Sequence, residues 1–217
     1  MSSATIYATD VVTNNLKAAS NTYNDLLIAT SADSVLGGTS AYIGANYDTK
    51  YFVRQHLVSF DLSSVPSGST ITVASFSVKT SSLSIEAPTA GAQLELVPYN
   101  WGSTIEIADY LTKAEYSAIA AVATYPLTAS VATDQVLTFT SGAPLIANLL
   151  AGGTSKFMLC NKAFRDGTSP TGFSDQSVKI YTSSYATASF RPTLALTYTA
   201  GGGGGTTYNA TFFGSNF

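Results

Sequence analysis

The sequence predicts an all-β protein, a jelly-roll-like antiparallel β-sandwich with one or two short helices and a glycine-linked C-terminal tail. Three observations predict it. Short β-prone runs recur along the chain, divided by Ser, Gly, Asn and Pro. Hydrophobic residues make up 45% of the chain and aromatics 12%, enough for a substantial core. Charged residues are only 11%, less than half the share usual in a globular domain, so the surface is built from neutral Ser, Thr, Ala and Gly. A chain of 217 residues fits one large sandwich. The domain is expected over residues 1–200, a glycine linker over 201–205 and a separate segment over 206–217.

Residues 14–50 are polar and rich in Ser and Asn, with an apolar LLIA at 26–29. They read as long connections with one or two edge strands. The stretch YFVRQHLVSFDL (51–62) ends with Val58, Phe60 and Leu62 on one face and Ser59 and Asp61 on the other, the alternation of a half-buried strand. Pro66-Ser67-Gly68 follows as a turn. In TITVASFSVKT the apolar phase switches between Ile71/Val73 and Ala74/Phe76/Val78, which predicts a bulge or bend. Further strands are expected at 92–97, 135–140, 156–161 and 177–182. The last, Thr193 to Thr199, points Leu194, Leu196 and Tyr198 one way and threonines the other.

Two segments read as helices. Thr112 and Glu115 have the spacing of a capping box ahead of YSAIAAV. Pro144 stands at the first turn of LIANLLA, with Gly152-Gly153 as the expected stop. Pro192 cannot donate to a ladder and should mark the start of the final strand, leaving Arg191 at a corner to pair with a carboxylate or backbone carbonyls.

The segment YDTKYFVRQHLVSFDLSSVPSGSTITVASFSVKT (47–80) resembles the opening of DNRLRE-type β-sandwich domains, whose pattern reads RxLLRFDLSSIPxGxTItsAtL. Arg54, Leu57, Phe60, Asp61, Leu62, Pro66, Gly68, Ile71 and Ala74 hold the corresponding places. SVKIYTSSYATASFRPTLALTYT (177–199) resembles the closing segment of that family through Arg191, Pro192, Leu194 and Tyr198. Tyr99-Asn100-Trp101 stands where the family has a Trp-containing turn, and 102–135 departs from the pattern. The resemblance implies a jelly-roll-like sandwich of the kind found on bacterial secreted proteins and in bacteriophage structural proteins. Fold alone does not assign function.

The chain offers little catalytic chemistry. His56 is the single histidine, set in a strand without a nucleophile motif beside it, and is expected to be half-exposed. Cys160, the single cysteine, alternates with Phe157 and Leu159 and reads as a small buried hydrophobe. One Cys and one His exclude a structural zinc site by ligand count. Asp10, Asp33 and Asp48 fall in polar loops where calcium can bind, without EF-hand spacing. Glu86, Glu95, Glu106 and Asp109 are spaced as loop and strand-face charges. Trp101 reads as core. No enzyme, catalytic residue, metal or cofactor is expected.

Net charge is −3 and the ten Lys and Arg lie scattered, so nucleic acid lacks its basic footprint. No apolar run approaches the ~20 residues of a membrane span. The N-terminus MSSATIYATDVV lacks the basic and apolar regions of a secretory signal, so synthesis in a host cytoplasm is expected. The last segment is the strongest functional signal. After Gly201–Gly205 come Tyr208, Phe212, Phe213 and Phe217. Burying each aromatic side chain is worth ~1.5–3 kcal/mol, and leaving them in water invites aggregation. They are expected to bind a partner, a copy of the chain first and another virion protein next. The expected function is a bacteriophage virion structural protein on the tail or head surface, assembling through this segment. A host surface glycan is a further candidate partner. The alternative is a carbohydrate-binding or adhesive module of a bacterial surface or secreted protein.

Overall fold

A computed structural model describes residues 1–9, 13–81, 91–128, 131–171 and 176–201. The chain opens with β1 (Ser2–Tyr7), β2 (Thr13–Ser20), α1 (Tyr23–Ile28), β3 (Ser34–Gly37) and β4 (Ser40–Asp48). The long strands β5 (Lys50–Asp61) and β6 (Thr70–Lys79) follow, then β7 (Gln93–Pro98). After α2 (Lys113–Ala118) come β8 (Ala123–Pro126), β9 (Val136–Thr138), β10 (Thr140–Ser141) and α3 (Ala143–Ala147). The rest is β11 (Thr154–Asn161), α4 (Lys162–Asp166), β12 (Gln176–Tyr181) and β13 (Thr193–Thr199).

All strand pairs among the described residues are antiparallel. A small sheet has the order β1-β13-β6-β9. A larger one runs β10-β8-β7-β11-β5-β2-β3, and β4 joins it by pairing with the first half of β5 and with β12. The protein is therefore an all-β sandwich. Val58 and Phe60 of β5, Leu94 and Leu96 of β7, and Phe157 and Leu159 of β11 meet Phe76, Val78, Leu194 and Leu196 of the small sheet in the main core. Phe60 and Phe76 meet edge to face, with ring centroids 6.1 Å apart. Leu62 is buried in the same core and Tyr198 packs against it.

The opposite face of the large sheet is also covered, which the sequence reading did not anticipate. Leu16, Val53, Leu57, Val97, Met158 and Cys160 lie beneath Tyr23 and Leu26 of α1, Tyr116 of α2, Phe164 of α4, and Trp101 and Tyr110 of the connection before α2. Helices on one sheet face bury a second apolar layer.

Several local expectations hold. The bulge in β6 falls at Thr72, because Val73 faces Thr197 while Ile71 faces Tyr198. Thr72 and Val73 are consequently both exposed. β13 begins directly after Pro192, and the Arg191 side chain donates to the Tyr185 carbonyl at 2.8 Å. The Thr112–Glu115 capping box is present on α2.

Others need correction. Residues 14–50 are not mainly connections: β2 lies between β5 and β3, and β4 between β5 and β12. Leu26, Leu27 and Ile28 of LLIA belong to α1, which is capped by the Thr22 hydroxyl, accepting from the Asp25 amide at 3.3 Å. There are four short α-helices among the described residues rather than one or two. α2 stops at Ala118 because Val122 already donates to the Leu96 carbonyl as the chain enters β8. α3 stops at Ala147, well before Gly152, with the Asn148 side-chain amide donating back to the Pro144 carbonyl.

Candidate interaction surface

Tyr208, Phe212, Phe213 and Phe217 lie outside the described residues, as does Glu86. What the described residues do place on the surface is the outer face of the small sheet. Cross-strand register sets Ser3 beside Thr197 and Val73, and Thr5 beside Ala195 and Ser75. Tyr7, Thr193, Ser77 and Thr138 form the next row, and Lys79 faces Val136. The alternate residues of these strands, Ala4, Ile6, Phe76, Val78, Leu137, Leu194 and Leu196, point into the main core. The outer grid therefore carries hydroxyls and methyls and a single charge, Lys79. Val73 and Val136 are 55% and 57% exposed there.

An aromatic corner adjoins this grid. Tyr181 at the end of β12 stacks near Tyr185, with centroids 4.3 Å apart, and near Phe190 at 4.9 Å. Tyr185 and Phe190 are almost parallel, 3° apart. The Lys79 ammonium sits 3.2 Å from the Phe190 ring centroid, a cation–π contact. The Tyr181 hydroxyl donates to the Asp134 carboxylate at 2.8 Å, and that bond first, then burial, pushes the phenol up to about 12. Asp134 itself is held at φ 62, a left-handed conformation that Asp tolerates better than most residues. All three residues are half-buried, so the corner stays partly open to solvent. Sequence reading missed it because the rings at 181, 185 and 190 come from a strand end, a turn and a short 3₁₀ turn rather than from one periodic element.

The groups considered for catalysis are placed elsewhere. His56 is not half-exposed but 0% exposed, wedged in β5 between Asn15 of β2 and Leu159 of β11. Among the described residues neither ring nitrogen has a hydrogen-bond partner, and burial holds the imidazole down at about 3. Cys160 is fully buried in the helix-covered layer, and burial pushes its thiol up to about 12. An imidazole held down at about 3 is a weak base, and a thiol held protonated is a poor nucleophile.

Glu95 projects from β7 into the same layer and accepts from Arg165 Nε at 2.8 Å and from the Tyr116 hydroxyl at 3.1 Å. Arg165 also donates to the carbonyls of Tyr116 and Ser117 at the end of α2. The trio pins α2 and α4 to the sheet, and burial raises the Tyr116 phenol well above its ordinary value.

Asp33 accepts from the Ala19 amide, and Glu106 and Asp109 cap one another around a short 3₁₀ turn. Asp48 ends β4, and Asp10 lies outside the described residues. No three His, Cys, Asp or Glu gather into a metal-binding group among the described residues. Trp101 is buried, its ring 5.0 Å from the Lys156 ammonium. No helix among the described residues is long and apolar enough to cross a membrane.

Comparison with known proteins finds no family model that matches the chain and no curated relative.

Proposed function

We propose that the chain is a structural protein of a bacteriophage particle. It is a β-sandwich module on the tail or head surface that assembles with copies of itself and with other virion proteins through residues 206–217. Within that segment Tyr208, Phe212, Phe213 and Phe217 are the partner-binding side chains. The observation that carries the reading is the outer face of the small sheet. Desolvating a charge on association is costly, and the cores of protein interfaces are depleted of charged residues. A face of Ser3, Thr5, Ala195, Thr197, Ser75, Ser77 and Thr138 with only Lys79 charged suits repeated packing against neighbours. The resemblance to DNRLRE-type domains and the aromatic terminus behind its glycine spacer support the same context.

The alternative reading, a carbohydrate-binding or adhesive module, draws on one observation. An open groove of about 360 Å³ is lined by Tyr99, Asn100, Asn148, Leu150, Thr154 and Lys156, a half-exposed ring beside amides and an ammonium. Antibody labelling of purified particles under the electron microscope separates the two. Regular decoration of heads or tails is the expected result. A chain absent from particles that binds polysaccharide, and loses that binding in Tyr99→Ala, would establish the second reading instead.

A further inference from the structure

The small sheet has a free edge at β1, and its backbone phase can be read from two bonds. The Ala8 amide donates to the Pro192 carbonyl at 2.8 Å, while the next amide, Thr9, donates the opposite way to Ser59 at 3.0 Å. Successive residues of a strand alternate sides. Ser2, Ala4 and Ile6 therefore spend their backbone groups on β13, and Ser3, Thr5 and Tyr7 point theirs away from it. Among the described residues nothing pairs with that outward row.

Native edges of this length are usually blunted by a charge, a proline or a bulge. β1, SSATIY, has none of these. The other edges differ. β12 carries Lys179, and Thr80 and Ser81 already bridge to it. β3, β9 and β10 are only four, three and two residues long.

We propose that β1 of one copy accepts residues 206–213 of a second copy as an added antiparallel strand. This rests on the reading that the C-terminal segment docks on another chain, and it names the acceptor. The donor, TTYNATFF, has no charge, proline or glycine and is rich in β-branched and aromatic residues. Its alternation matches the sheet it would extend. Thr207, Asn209 and Thr211 continue the neutral outer grid of Ser3 and Thr5. Tyr208, Ala210 and Phe212 fall on the side of Ala4 and Ile6, widening the apolar layer.

The exit point is also right. Tyr198 faces Ser2 across β13 and β1, and Gly201 lies against the Gly68 backbone. The chain therefore leaves the domain at the start of β1. Five glycines reach up to ~17 Å. Returning along its own β1, the segment would run parallel to it. Exchange between two copies about a two-fold axis makes both new pairings antiparallel, the stronger geometry.

Light scattering on the full chain at micromolar concentration should give a dimer; a monomer overturns the proposal. Thr5→Pro removes one outward amide and no bond to β13, a substitution that edge strands tolerate. It should give a monomer with an almost unchanged melting temperature. Tyr208→Asp with Phe212→Asp should do the same. If the double variant is monomeric and Thr5→Pro remains dimeric, the segment docks but not on β1, and the proposal fails alone. If both remain dimeric, the docking role of the segment fails with it.

Cross-linking covers a Thr5→Pro chain that does not fold. Thr5→Cys chains are mixed under oxidation with differently tagged chains carrying Asn209→Cys, Ala210→Cys or Thr211→Cys, the native Cys160 being fully buried. A disulfide between tags at one of the three positions supports exchange. Its absence at all three, or a bond formed only when both cysteines are placed in one chain, overturns it.

Discussion

His56 makes the stability of this protein depend on pH in a way that one substitution can isolate. The imidazole is fully buried, neither nitrogen has a partner among the described residues, and its pKa stands at about 3 in the folded protein. In the unfolded chain it is free to titrate near ~6.5. The folded state thus binds fewer protons at every pH below that value, and stability falls as pH drops from the unfolded pKa toward the folded one. At about pH 4.5, some two units below the unfolded pKa, the loss is ~2.7 kcal/mol at 1.36 kcal/mol per unit. That is a large part of a typical stability of ~5–15 kcal/mol. Carboxylates titrate in the same range, so the assay compares two proteins. Urea unfolding of the natural chain and of His56→Leu, near neutrality and near pH 4.5, cancels what they share. Leucine has a similar volume and forfeits no hydrogen bond, so His56→Leu should be at least as stable near neutrality. It should also lose ~2–3 kcal/mol less on acidification. Equal losses in the two proteins would refute the burial argument.

Three further substitutions test the layers separately. Leu196→Ala removes a side chain 3% exposed in the main core and should cost ~2–5 kcal/mol in a thermal or urea melt; no loss would place it outside that core. Glu95→Ala strands Arg165 and the Tyr116 hydroxyl in the helix-covered layer. Because Arg165 keeps 18% of its side chain exposed, the cost should fall toward the lower end of the ~3–5 kcal/mol seen for broken buried pairs. Urea unfolding within ~1 kcal/mol of the natural chain would show that the trio does not pin the helices. Gly44→Ala meets two obstacles, a φ of +97° and a new Cβ 2.5 Å from the Gln176 carbonyl. It should destabilise by ~2 kcal/mol or more, and a neutral result would show that β4 and β12 can move apart there.

Strands with one apolar and one polar face were legible. β13 and the second half of β5 show clean alternation, and the phase switch around Thr72 marked its bulge before any register was known. Local chemistry was legible too, as at the Thr112–Glu115 cap. β2 and β4 were not. Their inward residues include Asn15, Ala18, Ala45 and Asn46, small or polar side chains that are fully or nearly fully buried, so the alternation carries no hydropathy contrast. α1 spans only six residues, too short for a helical period to emerge. The burial of His56 was hidden for a related reason. A strand in the middle of a wide sheet is polar or apolar according to what distant segments lay over it, and β13, one of the strands covering β5, lies far along the chain from it. The aromatic corner likewise depends on β6, β12 and the turn before β13 meeting in space.

The covering of the large sheet also decides where partners can bind. With the small sheet on one face and α1, α2 and α4 on the other, its strands offer no broad free face among the described residues. The helical layer carries Asp25, Lys113, Glu115, Lys162, Arg165 and Asp166, whereas the outer grid of the small sheet carries Lys79 alone. In a protein with only 23 formal charges (10 basic and 13 acidic) this asymmetry is informative. Charged side chains hydrate favourably and resist burial, so in the assembly proposed above the helical layer would belong on the solvent side and the small sheet on the contact side. The neutral edge of β1 and the exit of the aromatic segment lie on that same small sheet. In the proposed exchange, a contact built there would join face, edge and donor strand without desolvating a carboxylate.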